Sequence, residues 1–457
     1  MANLKQHTEK YGYLQPCKEE SVDWDHTDNL YLEGDNLEML RLLQDTYREK
    51  VKTIYIDPPY NTGNDYVYCD NYHSDWCAMM HPRLEAARPL LQDDGAIFLS
   101  IDHHELIHLA SLCDEVFGAS NRVGIITVVN NLKGRSDETF FATCNEYLLV
   151  YAKNKAKLSL NGFQMDEEEL DNDYEKEDER GYYKLIGFRK TGTAWRREER
   201  PYMYYPVIHK NGTFATIAPR ELARLYDAKS NRFDDAYAEQ LTHAYTEKGY
   251  KVVWPTTESG ERGRWRWGID TFRQRKDSDL DFNTAGTLCT KMRATLEDGS
   301  IRAKIAKTLW YKSEYDTGSA AKRLAQLMGG KALFDNPKSL VFIKDILVIG
   351  SEKDSTVLDF FSGSATTAHA VMQLNAEDGG TRRFIMIQRP DTTHPNSEAH
   401  KAGYANICEI GKERIRRAGK RLLEEEKERK NEANRPPNSE KTGLDVGFRV
   451  FKKNNIL

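Results

Sequence analysis

The chain predicts an α/β fold on a mainly parallel sheet, and three observations support that. Apolar strand-like runs at Val51–Ile56, Ala96–Ile101, Val123–Val129 and Tyr147–Tyr151 alternate with helical stretches, the pattern of strand–helix–strand units. The stretch from Ser74 toward Leu91 sets Trp76, Met80, Leu84, Ala87 and Leu91 on one face of a helix, and another helix is expected from His103 to Phe117. Far downstream, residues 356–374 read as a strand (Val357, Leu358), a loop of small residues (Ser362 to Ala365) and a helix carrying Ala370, Val371, Met372 and Leu374.

The first strand run ends in Asp57-Pro58-Pro59-Tyr60. A carboxylate beside a backbone carbonyl suits the exocyclic amine of a planar base. That amine's lone pair is delocalised into the ring, and two acceptors for its hydrogens make the nitrogen more pyramidal and more nucleophilic. The prolines fix φ and leave no N–H to compete for the carbonyls. Tyr60 offers a ring for stacking on a base lifted from its helix. A strand ending in a Pro-Pro turn, with the Asp capping a loop, explains the same four residues.

In the downstream loop, Asp359-Phe360-Phe361-Ser362-Gly363-Ser364-Ala365 stands between strand end and helix start. A row of backbone N–H groups at a helix N-terminus favours negative charge, while Asp359 suits an ammonium group. One carboxylate plus N–H donors matches an amino-acid zwitterion better than a triphosphate, and the Gly-Lys-Ser/Thr ending of a phosphate loop is absent. Many α/β turns look similar.

Composition bounds the rest. At 457 residues the chain predicts two or three domains. It has no run of about 18 apolar residues for crossing a membrane, and Met1–Lys10 lacks a signal-peptide core. Seven scattered cysteines without a Cys-x-x-Cys pair fit a reducing cytoplasm. The histidines, including His103-His104, lack ligand spacing, so no metal is expected. A net charge of −5 leaves nucleic-acid contact to a local basic face.

Such a face is expected between the two motifs. Residues 187–200 carry five basic and two acidic residues, among them Arg189, Lys190, Arg196 and Arg197. Farther on, Arg262, Arg264 and Arg266 interleave with Trp265 and Trp267. Arginines can pair with phosphates or read guanine edges, and aromatics can pack on sugars or bases. An ordinary β-rich surface with arginines lying over tryptophans gives the same pattern. The acidic run Asp166–Glu179 is expected to be a solvated linker or excursion. The tail is read as a long helix from Ile407 through Lys430, a linker over Arg435–Gly443 and a strand over Leu444–Phe451.

Together these stretches resemble the S-adenosylmethionine-dependent amino methyltransferases of DNA, in the circularly permuted β-class order that puts Asp57-Pro-Pro-Tyr60 about three hundred residues upstream of the Phe361-Ser-Gly-Ser364 loop. Tyr31-Leu-Glu-Gly-Asp-Asn36, Met80-His-Pro-Arg-Leu84, Asn131-Leu-Lys-Gly-Arg135, Glu146-Tyr-Leu-Leu-Val-Tyr151 and Phe334-Asp-Asn-Pro-Lys-Ser339 extend the likeness over roughly residues 10 to 450, and in detail it is to the Mod subunits of type III restriction–modification systems.

The resemblance implies a Rossmann-like methyltransferase sheet with an inserted, β-rich target recognition domain and a helical C-terminal tail. The expected divisions are 1–154, 155–330 (the insert), 331–405 and 406–457. It implies N6-adenine methylation of double-stranded DNA, a homodimer, and a separate Res subunit for cleavage. Asp57 and the Pro58 carbonyl would accept from the target amine. Asp359, Phe360, Phe361, Ser362, Gly363 and Ser364 would hold the methionine end of the cofactor, with Lys338 near its carboxylate. Asp35 and Asn36 would meet its adenine, and Gln388 stands where an acidic residue often holds the ribose. Ala365 replaces a more usual Gly, which is tolerable if its φ is negative. N4-cytosine methylation would use nearly the same site; RNA or small-molecule methylation and a non-catalytic DNA-binding subunit are further alternatives. Lys452–Leu457 departs from the family's usual C-terminal continuation.

Overall fold

The computed structural model describes residues 13–64, 66, 70–134, 140–296, 298–432 and 443–454. Met1–Lys10, Arg135, the expected linker over 435–442 and residues 455–457 lie outside them. Two compact units form: Met1–Phe163 with Ile305–Leu457, and Gln164–Lys304 between them in sequence.

The larger unit is built on a ten-stranded sheet. In chain order its strands are β1 (Tyr13–Pro16), β2 (Leu30–Glu33), β3 (Val51–Ile56), β4 (Leu91–Ile101), β5 (Arg122–Val129), β6 (Asn145–Ala152), β7 (Leu309–Tyr311), β8 (Thr356–Asp359), β9 (Arg383–Gln388) and β10 (Arg449–Asn454). They lie in the order β1-β10-β2-β9-β8-β3-β4-β6-β5-β7. The run from β10 to β4 is parallel, whereas β6 is antiparallel to both β4 and β5 and β1 is antiparallel to β10. The expected last strand starts later, at Arg449, and runs on to Asn454. Ahead of it Gly447 N–H donates to Asp445 and its carbonyl accepts from Asn29 Nδ2, which turns the chain into the sheet.

Strands buried on both faces read as continuous apolar runs, and this sheet has two cores. Ile54 and Ile56 face α1 (Asn36–Tyr47), α2 (Trp76–Ala87) and α3 (Leu106–Cys113), meeting Leu40, Leu84 and Leu109. Tyr55, Phe98 and Val357 face α5 (Leu340–Gly350), α6 (Thr366–Asp378) and α7 (Ile407–Glu432), meeting Phe342, Val371 and Ile415; α4 is Thr317–Leu327. The α2 stripe is buried as its spacing predicts, but Leu91 already belongs to β4. Packing is tight where α5 ends: a Cβ on Gly350 would stand 2.7 and 2.9 Å from atoms of the Phe98 ring. Gly350→Ala should destabilise the protein by about 1–3 kcal/mol, the usual penalty for overpacking a core. Chemical denaturation checks this, and an unchanged midpoint would contradict it.

The second compact unit, Gln164–Lys304, is shorter than the 155–330 expected for an insert. Leu158, Leu160 and Phe163 pack on the first unit's core, and β7 pairs with β5 with Trp310 buried beneath it, so both flanks belong to the sheet. The second unit combines a four-stranded antiparallel sheet (Lys176–Asp178, Gly181–Gly187, Leu280–Phe282, Leu288–Arg293) with a three-stranded one (Val207–Lys210, Thr213–Thr216, Lys251–Val253) around Phe188, Tyr205, Trp265 and Phe272. The acidic run is folded rather than a solvated excursion. Asp166 and Glu169 form a reciprocal cap on the helix Glu167–Asp173, Leu170 and Tyr174 are buried, and Lys304 pairs with Glu169 and Asp173. Two capping residues, two buried side chains and the Lys304 ion pairs hold it in place.

Candidate active site

Strands β3 and β8 are parallel neighbours, with Val357 opposite Thr53 and Leu358 opposite Ile54. Their C-terminal ends therefore open side by side, bringing Asp57 and Asp359 to one edge of the sheet despite their separation in sequence. Ligands of open α/β sheets bind at that edge. One cleft there is lined by Asp57, Pro58, Pro59 and Tyr60, by Asp359 through Ser364, and by Asn36, Lys338 and Gln388.

The Asp57 loop is held from behind. Trp76 Nε1 donates to the Pro59 carbonyl at 2.7 Å, and the buried Asp70 carboxylate accepts from the Asn61 and Thr62 amides, both at 3.0 Å. The Pro58 carbonyl receives no hydrogen bond among the described residues. Lys338 Nζ lies 3.2 Å from Asp57 Oδ1, but the angle is too poor for a hydrogen bond, so that buried oxygen is paired by charge yet accepts nothing. Burial pushes the Asp57 carboxyl up to about 6, with Lys338 pulling it down and Glu146 pushing it up.

Lys338 is the hub of this end of the cleft. Besides Asp57, its ammonium donates to Glu146 Oε2 at 2.6 Å and to the Tyr60 hydroxyl at 2.5 Å. The same Glu146 oxygen accepts from Tyr60 and from Asn130 Nδ2, each at 3.0 Å. The ammonium also stands 4.7 Å from the Tyr60 ring centroid. Lys338, expected near the cofactor's carboxylate, is here the cation between two acidic side chains, Asp57 and the buried Glu146. Sequence reasoning gave Glu146 and Asn130 no role. A glutamate opening the apolar strand β6 was the available signal.

At the other end, Asp359 is buried and accepts from Phe361 N–H at 3.0 Å and from Thr367 Oγ1 at 2.6 Å. Burial pushes its carboxyl up to about 7 against those two donors, and Asp57 adds to the rise. Phe360 is a core side chain whose carbonyl accepts from Asn36 Nδ2. Gln388 Oε1 accepts from Gly363 N–H at 2.8 Å, so it braces the loop. Ala365 has φ +60°, so the condition for an easily tolerated alanine is not met. The left-handed turn lets its N–H reach the Ser362 carbonyl at 2.7 Å, at a cost of about 1–2 kcal/mol for a residue with a Cβ. Asp35 is outside the cleft lining. It caps α1 through Leu37 and Glu38 N–H and pairs with Arg83 at 2.9 Å.

In the second unit, two of the six basic residues named for DNA are committed internally. Arg264 is buried, with Nε on the Ala194 carbonyl and Nη1 on the Trp265 carbonyl. Arg197 makes a bidentate pair with Asp235 at 2.5 and 3.0 Å and covers Phe233 at 4.2 Å. Both were expected at DNA; Arg264 is spent on backbone carbonyls and Arg197 on Asp235. Arg196 is exposed, and Arg189, Lys190 and Arg266 are half-buried. Asp102, His103 and His104 bring ligand-type atoms within 4.8 Å of one another, closer than their sequence suggested; His104 is engaged with the Asp102 carboxylate at 2.8 Å. No helix among the described residues is long and apolar enough to cross a membrane.

A sheet edge that joins an acceptor pair for an amine to a loop for a zwitterion is what amino methyltransferases need, and the DNA methylase family matches this chain over residues 51–418, to which it therefore belongs. Its relatives are specific. The chain is 36% identical over 436 residues to the EcoPI Mod subunit of a type III restriction–modification enzyme from Escherichia phage P1, covering 87% of this chain and 63% of that one. It is 34% identical over 400 residues to the type II methyltransferase M.KpnI of Klebsiella pneumoniae, covering 84% and 86%. To the EcoP15I Mod subunit of Escherichia coli it is 29% identical, covering 87% and 64%. It thus spans just under two thirds of the length of these two Mod subunits.

Proposed function

We propose that this chain is a site-specific DNA methyltransferase that transfers the methyl group of S-adenosylmethionine to the N6 amine of an adenine flipped out of duplex DNA. The observation that carries the reading is the Asp57 carboxylate, whose side chain keeps 28% exposure at the cleft, beside a Pro58 carbonyl that accepts nothing among the described residues, on the strand next to the Asp359 loop. The residues fit the cofactor: Asp359 is a buried carboxylate for an ammonium group, and the loop before α6 supplies donors for a carboxylate. The bound cofactor supplies an activated methyl on sulfonium sulfur. The protein's part is to accept both amine hydrogens at Asp57 and Pro58, so that the nitrogen lone pair turns toward the methyl group. It also keeps Asp57 ionised through Lys338 and holds the reactants in line without water. When the nitrogen gains the methyl it sheds one proton, and the Asp57 carboxylate is the acceptor in reach.

On this reading the motif order is the permuted β-class one and the unit Gln164–Lys304 is the target recognition domain. Arg189, Lys190, Arg196 and Arg266 are its available DNA contacts. The Mod relatives support a modification subunit of a type III system; we extend this to a cytoplasmic homodimer that works with a Res subunit. N4-cytosine methylation is the second reading, since the same acceptors fit that amine; Asp rather than Ser before Pro58 favours adenine. The test is transfer of labelled methyl from S-adenosylmethionine to unmethylated genomic DNA. Label in DNA supports the proposal, and a protein that binds the cofactor but labels only RNA or nothing overturns it.

The raised Asp359 carboxyl sets a pH dependence. Below about 7 it is protonated in the free protein and offers no charge to an ammonium group. Affinity for S-adenosylhomocysteine should therefore rise with pH across about 6 to 8, by up to roughly tenfold per unit below 7. Titration calorimetry at several pH values checks this, with Asp359→Asn expected to flatten the curve. The stability linkage runs the opposite way with pH: carboxyls raised by folding stabilise most below about 4, and that contribution is lost as pH rises through 6 to 7.

A further inference from the structure

Arg414, on α7, is buried at 4% exposure and forms no ion pair with a carboxylate among the described residues. Its Nη1 donates to Ser364 Oγ at 2.9 Å and to Thr366 Oγ1 at 2.6 Å, and its Nε has no partner. A guanidinium taken out of water without an anion is costly, and burial alone pulls it down to about 9. Ser364 and Thr366 both line the cleft. Each hydroxyl oxygen already accepts from Arg414, and neither hydroxyl donates to a protein group among the described residues, so both hydrogens are left for something in the cleft. A hydroxyl that accepts from a cation becomes a stronger donor. The Ser364 and Thr366 backbone N–H groups also lack protein acceptors among the described residues, at the N-terminus of the 13-residue helix α6.

We infer that Arg414 is a positioning residue for the carboxylate of the cofactor's methionine end, with its positive charge delivered through the Ser364 and Thr366 hydroxyls. Asp359 then takes the ammonium group and the Arg414 side of the loop takes the carboxylate, so the two ends of the zwitterion are read by opposite charges. This rests on the proposed cofactor and adds the residue, outside the loop itself, that selects for its carboxylate. The packing supports a fixed relay: a Cβ on Gly411, one turn before Arg414, would stand 2.9 Å from the Tyr31 hydroxyl and 3.2 Å from the Gly363 carbonyl, so α7 sits directly on the loop.

The test compares equilibrium binding of S-adenosylhomocysteine with that of S-adenosyl-3-thiopropylamine, the same thioether without the carboxylate. The parent protein should prefer S-adenosylhomocysteine by at least about tenfold, the worth of a charged hydrogen-bonded contact. Arg414→Met should reduce that preference to near unity while leaving affinity for the thiopropylamine within about threefold. Arg414→Lys should keep part of the preference, and Thr366→Val, which leaves Arg414 in place, should lose part of it. A purely structural role would weaken both ligands equally, and that result overturns the inference, as does a parent protein that binds both ligands equally. A parent protein that binds neither ligand removes the cofactor reading itself. Thermal melts of each variant show which losses come from misfolding.

Discussion

Replacing Asp57 by Ala is expected to lower methyl transfer by about 10³-fold or more while leaving the protein folded and able to bind the cofactor. Asp57 supplies one of the two acceptors for the target amine, and such groups contribute about 10² to 10⁴ in rate. The stability cost should be small. The carboxyl sits at about 6 because burial disfavours its charge, so the fold gains little from it, and Lys338 retains Glu146 at 2.6 Å. Asp57→Asn keeps an acceptor oxygen without the charge and should fall between the parent and the Ala variant. Single-turnover rates with saturating cofactor measure this directly. A variant that loses cofactor binding and rate together would assign Asp57 to the fold or the cofactor instead.

Removing the cation at Lys338 has the second large effect. Lys338→Met leaves Asp57 and Glu146 facing each other without the ammonium that holds Asp57 down. The Asp57 carboxyl then rises above about 6, so a larger share is protonated at neutral pH and cannot accept the amine. Transfer at pH 7 should drop by roughly 10²-fold, as for loss of a general acid–base group, and recover as pH increases. Breaking a buried ion pair on one side costs about 3–5 kcal/mol. Protonation of the carboxyls relieves part of that, so the variant should be least stable at high pH, where both must be charged. Rate and denaturation profiles from pH 6 to 9 test both statements. A parent-like rate profile would show that Lys338 does not control Asp57.

Much of this site was legible because its chemistry is local. Asp57-Pro58-Pro59-Tyr60 and the Asp359 loop are contiguous, and each sits at the end of an apolar run that reads as a strand. The helix from Ile407 to Lys430 was visible from its apolar spacing, and it runs to Glu432. What stayed hidden depends on pairing across the chain. Lys338 and Tyr60 are 278 residues apart, and no local pattern says which cation meets which carboxylate. Arg264 and Arg197 read as surface arginines beside aromatics, yet the same aromatics bury them. Ala365 is left-handed because the loop's closure on Ser362, and not the residue's own preference, sets the backbone.

The most direct test of the central claim is nucleoside analysis of unmethylated DNA after incubation with the protein and S-adenosylmethionine. N6-methyladenine, absent when Asp57 is Ala, is the predicted result. N4-methylcytosine would keep the mechanism and move the substrate to the other base. No methylated nucleoside, from a folded protein that binds both cofactor and DNA, would contradict the account.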